Sequence, residues 1–94
     1  MNFESVHNYY ERMVYDHIGQ IRSERRVAGL NDTELEDAAC IALNRLPPRY
    51  VRHDVDTAFY LSTAELLEMR GRVEEAVQYA VDLIRRNRDR VASV

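Results

Sequence analysis

Apolar residues recur along most of this chain in steps of three and four, a spacing that predicts helices with one buried face. Phe3, Val6, Tyr10, Met13, Val14, His17, Ile18 and Ile21 form the first such stripe. It predicts a helix from Phe3 to about Arg22, with Asn2 as N-cap and Glu4 in the first turn. Tyr9 and Tyr15 lie off the stripe, open to solvent or to a partner subunit. Residues 23–30, SERRVAGL, are polar and basic and read as a frayed helix end and a loop. A second stripe, Leu35, Ala38, Ala39, Ala42, Leu43 and Leu46, follows Asn31, and Asn31 with Glu34 has capping-box spacing. Its small residues allow close helix contact, and Cys40 and Ile41 broaden its apolar surface.

The third stripe opens at a clear capping box, Ser62-Thr63-Ala64-Glu65. Leu66, Met69, Val73, Ala76, Val77, Ala80, Val81 and Ile84 follow, and Arg85, Arg86, Arg88 and Arg90 close the helix as its dipole prefers. A continuous helix over residues 63–87 would span about 37 Å at 1.5 Å per residue. A compact domain of this length has a diameter near ~32 Å. No cap residue follows Gly71 to restart a helix, so continuity is expected. The end would then project, and a second subunit could cover its stripe.

Between the second and third stripes the pattern changes. Pro47 and Pro48 stop the second helix, because proline lacks an amide proton and restricts the residue before it. Arg49 and Tyr50 leave this stiff corner in a fixed direction, followed by Arg52, His53, Asp54 and Asp56. Residues 50–53 and 57–61 carry strand-favouring side chains and could pair as a short, loose hairpin. The link between them lacks the Asn-Gly or Asp-Gly signal of a tight turn. Residues 47–61 are therefore read as a structured connector, with Phe59 and Tyr60 as its anchors to the core. The fold class expected is mainly α: a small bundle of three to four helices with a proline-stopped connector, assembling as a dimer.

The 94 residues are enough for one domain. A domain of this size buries only about 60–65% of the surface its unfolded chain exposes, so dimerisation is a common remedy for its thin core. With 46% hydrophobic and 31% charged residues the composition is globular, and no apolar run approaches a membrane span. The N-terminus has neither a basic start nor an apolar signal core, which suggests a cytoplasmic protein. The net charge of −3 disfavours duplex DNA as a partner.

All 13 basic residues are arginine. Without lysine, Schiff-base chemistry and a phosphate-loop lysine are excluded, while the planar guanidinium suits phosphates and base edges. Cys40 is the only cysteine, so no intrachain disulfide and no thiolate zinc site can form, and it reads as a small packing residue. Enzyme signatures are missing. The three glycines are isolated, so no phosphate-cradling loop exists. His7 and His17 are ten residues apart, on different faces of the expected first helix. His53 with Asp54 and Asp56 reads as a solvated polar turn rather than an ion site. Glu74 and Glu75 read as solubilising surface carboxylates.

The stretch ALNRLPPRYV, residues 42–51, followed by AFYL and a helix, resembles the late competence development protein ComFB family. The resemblance runs from NYYE, residues 8–11, to about Val81, and LNRLPPRYV is its specific part. It looks most like the short single-domain members. Some members carry a cysteine cluster between the first two helices; residues 19–32 here have none, so no metal-related property carries over. Members are small, mainly helical and dimeric, and some are receptors for cyclic dinucleotide second messengers. The resemblance therefore implies a binding protein, and with the enzyme signatures missing neither catalysis nor a cofactor is expected.

The residues expected to hold such a ligand are Arg45, Arg49, Tyr50, Arg52 and Asp54. Arginine can fork onto guanine O6 and N7, stack on a base or pair with phosphate. Aspartate accepts from guanine N–H groups, and tyrosine offers a stacking face. A two-fold dimer would present the set twice, matching the symmetry of cyclic di-GMP; a downstream protein partner would read the bound state. Cyclic di-GMP is expected over cyclic di-AMP. The competing expectation is a helical protein–protein interaction module without a nucleotide, which leaves the arginine-rich corner unexplained.

Overall fold

The computed structural model describes residues 1–52 and 61–92, the last four as backbone only. Three helices and one small sheet are found among them: β1 (His7–Asn8), α1 (Tyr9–Ser23), α2 (Asp32–Arg45), β2 (Tyr50–Val51) and α3 (Thr63–Ala92). The core is built from one face of each helix. Tyr10, Val14, Ile18 and Ile21 of α1 meet Leu35, Ala38, Ala39 and Ala42 of α2 and Met69, Val73, Ala76, Val77, Ala80, Val81 and Ile84 of α3. Facing alanines on α2 and α3 let these two helices pack most extensively. Val27, Leu46 and Leu61 close the core from the connections.

The first helix begins later than its stripe predicts. It starts at Tyr9 with Asn8 as N-cap, not near Phe3 with Asn2 as cap. Asn2 instead closes a local turn, its Oδ1 accepting from the Glu4 amide at 2.9 Å. His7 and Asn8 are extended and pair antiparallel with Val51 and Tyr50. Phe3 and Val6 are accordingly exposed rather than on a buried helical face. His7 lies in β1, so the two histidines do not share a helix. The partner expected for residues 50–51 was 57–61, of which only Leu61 lies within the described residues; the pairing seen is with the N-terminal segment. Phe59 and Tyr60, and the His53, Asp54 and Asp56 group, lie outside the described residues.

α1 ends in a Schellman motif. The Arg26 amide donates to the Ile21 carbonyl at 2.9 Å and the Arg25 amide to the Arg22 carbonyl at 3.0 Å. The left-handed residue such a motif needs is Arg25, at φ 61°, where glycine is usual. The loop then turns with the Leu30 amide on the Val27 carbonyl and Gly29 at φ 88°. α2 carries the full capping box: Asn31 Oδ1 accepts from the Glu34 amide, and Glu34 Oε1 from the Asn31 amide. The prolines end it as expected.

α3 is continuous through Gly71 for 30 residues, about 45 Å at 1.5 Å per residue. Ser62 Oγ caps it by accepting from the Glu65 amide. The molecule measures 50 × 32 × 22 Å with a radius of gyration of 15.1 Å, against about 12 Å for a compact chain of this length. The arginines near its end do more than complement the dipole. Arg85 donates to the Arg26 carbonyl at 3.3 Å, Arg88 to the Gly29 carbonyl at 2.6 Å, and Arg88 Nε pairs with Glu34 Oε2 at 3.2 Å. They hold the loop between α1 and α2 against α3. Among the described residues no helix is long and apolar enough to cross a membrane.

Candidate arginine-lined clefts at the proline corner

The proline corner is fixed by the N-terminus of α1. Asn8 Oδ1 accepts from the Arg49 amide at 3.0 Å while also capping α1 at the Tyr10 amide. The Tyr9 amide returns a bond to the Arg49 carbonyl at 2.7 Å. Both backbone groups of Arg49 are thereby satisfied by one turn of chain, and its backbone is held by a segment 41 positions earlier in the sequence.

Two clefts flank Pro47. One, of about 380 Å³, lies between the end of α2 and α3 and is lined by Arg45, Leu46, Pro47, Arg72, Glu75 and Ala76. The other, of about 410 Å³, is lined by Tyr10, Pro47, Pro48, Arg49, Leu61, Glu65, Glu68, Met69 and Arg72. Pro47 and Arg72 belong to both. Arg72 Nη2 donates to Glu68 Oε1 at 2.8 Å, one turn back on α3. Hydrogen bonding with the Tyr10 hydroxyl, and then the Glu68 charge, push the Arg72 pKa above its ordinary value. Its guanidinium is thus anchored on one side and stays cationic at any ordinary pH. Arg45 is steadied differently. Its guanidinium carbon lies 3.7 Å from the centroid of the Tyr79 ring, a contact worth about 0.5–1 kcal/mol at an exposed site.

Of the residues expected from the sequence, Arg45 and Arg49 fall in adjoining clefts, one on each side of Pro47. Tyr50 is 67% exposed and lines neither cleft, and Arg52 is likewise exposed and apart from both. Asp54 lies outside the described residues. Reading the sequence alone missed Arg72, Glu75 and Tyr79. Their spacing of three, four and seven puts them along one side of α3, and that signal was present in the chain. Nothing local, however, says that this side meets the end of α2.

A third cleft, of about 550 Å³, runs between α1 and α2 and is lined by Tyr15, Ile18, Gly19, Arg22, Asp32, Leu35, Glu36, Ala39, Cys40 and Leu43. Cys40, expected as a packing residue, is exposed on the rim of this groove, because it sits one position beyond the buried Ala39 on α2. Among the described residues no group of three or more His, Cys, Asp or Glu could hold a metal ion.

The described residues define a small, mainly helical fold with arginine-lined clefts at a proline corner. The model of the late competence development protein ComFB family matches residues 7–88, and the chain belongs to that family. No curated protein and no solved structure gives a significant match.

Proposed function

We propose that this protein is a non-enzymatic, cytoplasmic regulator: a homodimeric receptor for a cyclic dinucleotide, with cyclic di-GMP preferred over cyclic di-AMP. The observation that carries this reading is the placement of Arg45, Arg72 and Arg49 across two adjoining clefts that share Pro47. Three guanidinium groups shared between two adjoining clefts suit a ligand with two phosphates and two bases. The corner is stiff, because the prolines, the Asn8 clamp and the Arg72–Glu68 pair hold it. A preformed site of this kind loses little conformational freedom on binding. Family membership supports the same reading, since resemblance to this family implies a receptor of this class. A two-fold dimer would match the symmetry of the ligand. Tyr50 and Arg52 would then meet the ligand, or its second half, from outside the two clefts, and Asp54 is the expected acceptor for guanine N–H groups. A downstream protein would read the bound state, provided the ligand favours one conformation of the corner over another.

One observation favours a second reading, a helical interaction module without a nucleotide. The groove between α1 and α2 is mostly apolar and carries the exposed ring of Tyr15, a surface suited to a partner's side chains. Calorimetric titration with cyclic di-GMP and cyclic di-AMP separates the two. Heat of binding with saturation for either ligand upholds the receptor. Titrations flat for both leave the interaction module.

A further inference from the structure

Within the cleft between α2 and α3, three features point to a nucleobase of one kind. First, Arg45 lines the cleft with its guanidinium backed by the Tyr79 ring at 3.7 Å, while Tyr79 itself does not line it. The ring lies against the guanidinium, and the cleft that Arg45 lines has room for a second planar group. Arginine planes held in this way are stacking platforms for bases. Second, the floor and wall are apolar, from Leu46, Pro47 and Ala76, and suit a flat ring system. The volume of about 380 Å³ lies in the lower part of the roughly 300–1,000 Å³ range of small-molecule sites. Third, Glu75 stands in the same cleft as two arginines, yet among the described residues it makes no ion pair or hydrogen bond. Arg72 is paired with Glu68, and Arg45 packs on Tyr79. Glu75 is thus a carboxylate with both oxygens open beside a stacking surface.

We propose that this cleft is a guanine subsite, with Arg45 stacked on the base, Glu75 accepting from its N1–H and N2–H groups, and Arg72 placed toward the phosphate. The proposal rests on the cyclic dinucleotide reading and adds the source of its base preference. Guanine presents two adjacent donors on its Watson–Crick edge, which a carboxylate accepts side by side. Adenine presents an acceptor at N1 and a donor at N6, so a carboxylate meets it with one bond and one repulsion. Glu75 therefore selects guanine and rejects adenine. The phosphate side of the ligand continues past Pro47, where Arg72 and then Arg49 follow.

The test is the Glu75→Gln variant. A glutamine amide offers one acceptor and one donor, the pattern adenine needs. The parent, Glu75→Gln, Tyr79→Leu and Arg49→Ala are each titrated calorimetrically with cyclic di-GMP and cyclic di-AMP. Circular dichroism melts check that each variant is folded; Glu75 is exposed, so its substitution leaves the core intact. Glu75→Gln is expected to weaken cyclic di-GMP binding by roughly tenfold or more, the size of a lost bidentate base contact, and to strengthen cyclic di-AMP binding. Tyr79→Leu is expected to weaken both ligands by several fold, because Arg45 loses its backing. If the parent and Arg49→Ala differ in affinity while Glu75→Gln and Tyr79→Leu match the parent, the guanine subsite is overturned and the receptor stands. A parent that binds neither ligand overturns both.

Discussion

Asn8 Oδ1 lies 3.0 Å from the Arg49 amide, across 41 positions of sequence, and the same oxygen caps α1 at the Tyr10 amide. One side chain therefore starts the first helix and aims the arginine corner. The short β1–β2 pairing beside it consists of two residues per strand and is too small to hold on its own. Its persistence depends on this clamp and on the prolines.

Asn8→Ala removes both bonds. The expected loss is about 1–2 kcal/mol, in the upper range for an N-cap, seen as a lower urea midpoint with an unchanged slope. Asn8→Asp keeps the acceptor and is expected to recover most of the loss. If the alanine variant unfolds at the parent's midpoint, the clamp contributes nothing.

Gly71→Ala tests the continuity of α3. A Cβ at this position would meet nothing within 4 Å, and the residue lies inside the helix. Alanine there is expected to stabilise by about 0.5–1 kcal/mol, because glycine carries an entropic cost in a helix interior. A destabilised variant would mean that α3 breaks at residue 71.

Arg25→Gly addresses the other backbone feature. Arg25 occupies the left-handed position that ends α1, where its Cβ is unfavourable by about 1–2 kcal/mol. Part of that gain is offset by the greater freedom of glycine in the unfolded chain. A net increase of about 0.5–1 kcal/mol is expected, readable as a higher melting temperature. No increase would show that Arg25 makes compensating contacts.

Arg49→Ala and Arg52→Ala are both expected to weaken cyclic dinucleotide binding without lowering the melting temperature. Arg49 lines one of the two clefts at Pro47 and Arg52 lines neither, so Arg49→Ala should cost the larger factor. Equal affinity in the parent and both variants would move the site away from the corner.

Each stripe of apolar residues became the buried face of a helix wherever its neighbours were also helical. The Asn31–Glu34 capping box, the proline stop and the run through Gly71 were all readable from local chemistry, because each depends on residues within one or two turns. The beginning of α1 was not. Phe3 and Val6 continue the helical spacing, but the segment at His7 and Asn8 is drawn into pairing with Tyr50 and Val51. That gain comes from residues more than forty positions away, which no local pattern reports.

The candidate site divides in the same way. Arg45 and Arg49 stood out by their place around the prolines, and the stiffness of that corner follows from the absent amide proton and fixed φ of proline. Arg72, Glu75 and Tyr79 gained their meaning only when α3 was laid against the end of α2. Helix packing is decided by how alanine and branched side chains fit across an interface, and that fit brings surface residues together as a by-product. Composition and periodicity determined that this chain is mainly helical, with a stiff arginine-bearing turn after the proline stop. Only the tertiary structure decided which side chains share a cleft, because proximity between distant segments comes from packing and leaves no local trace.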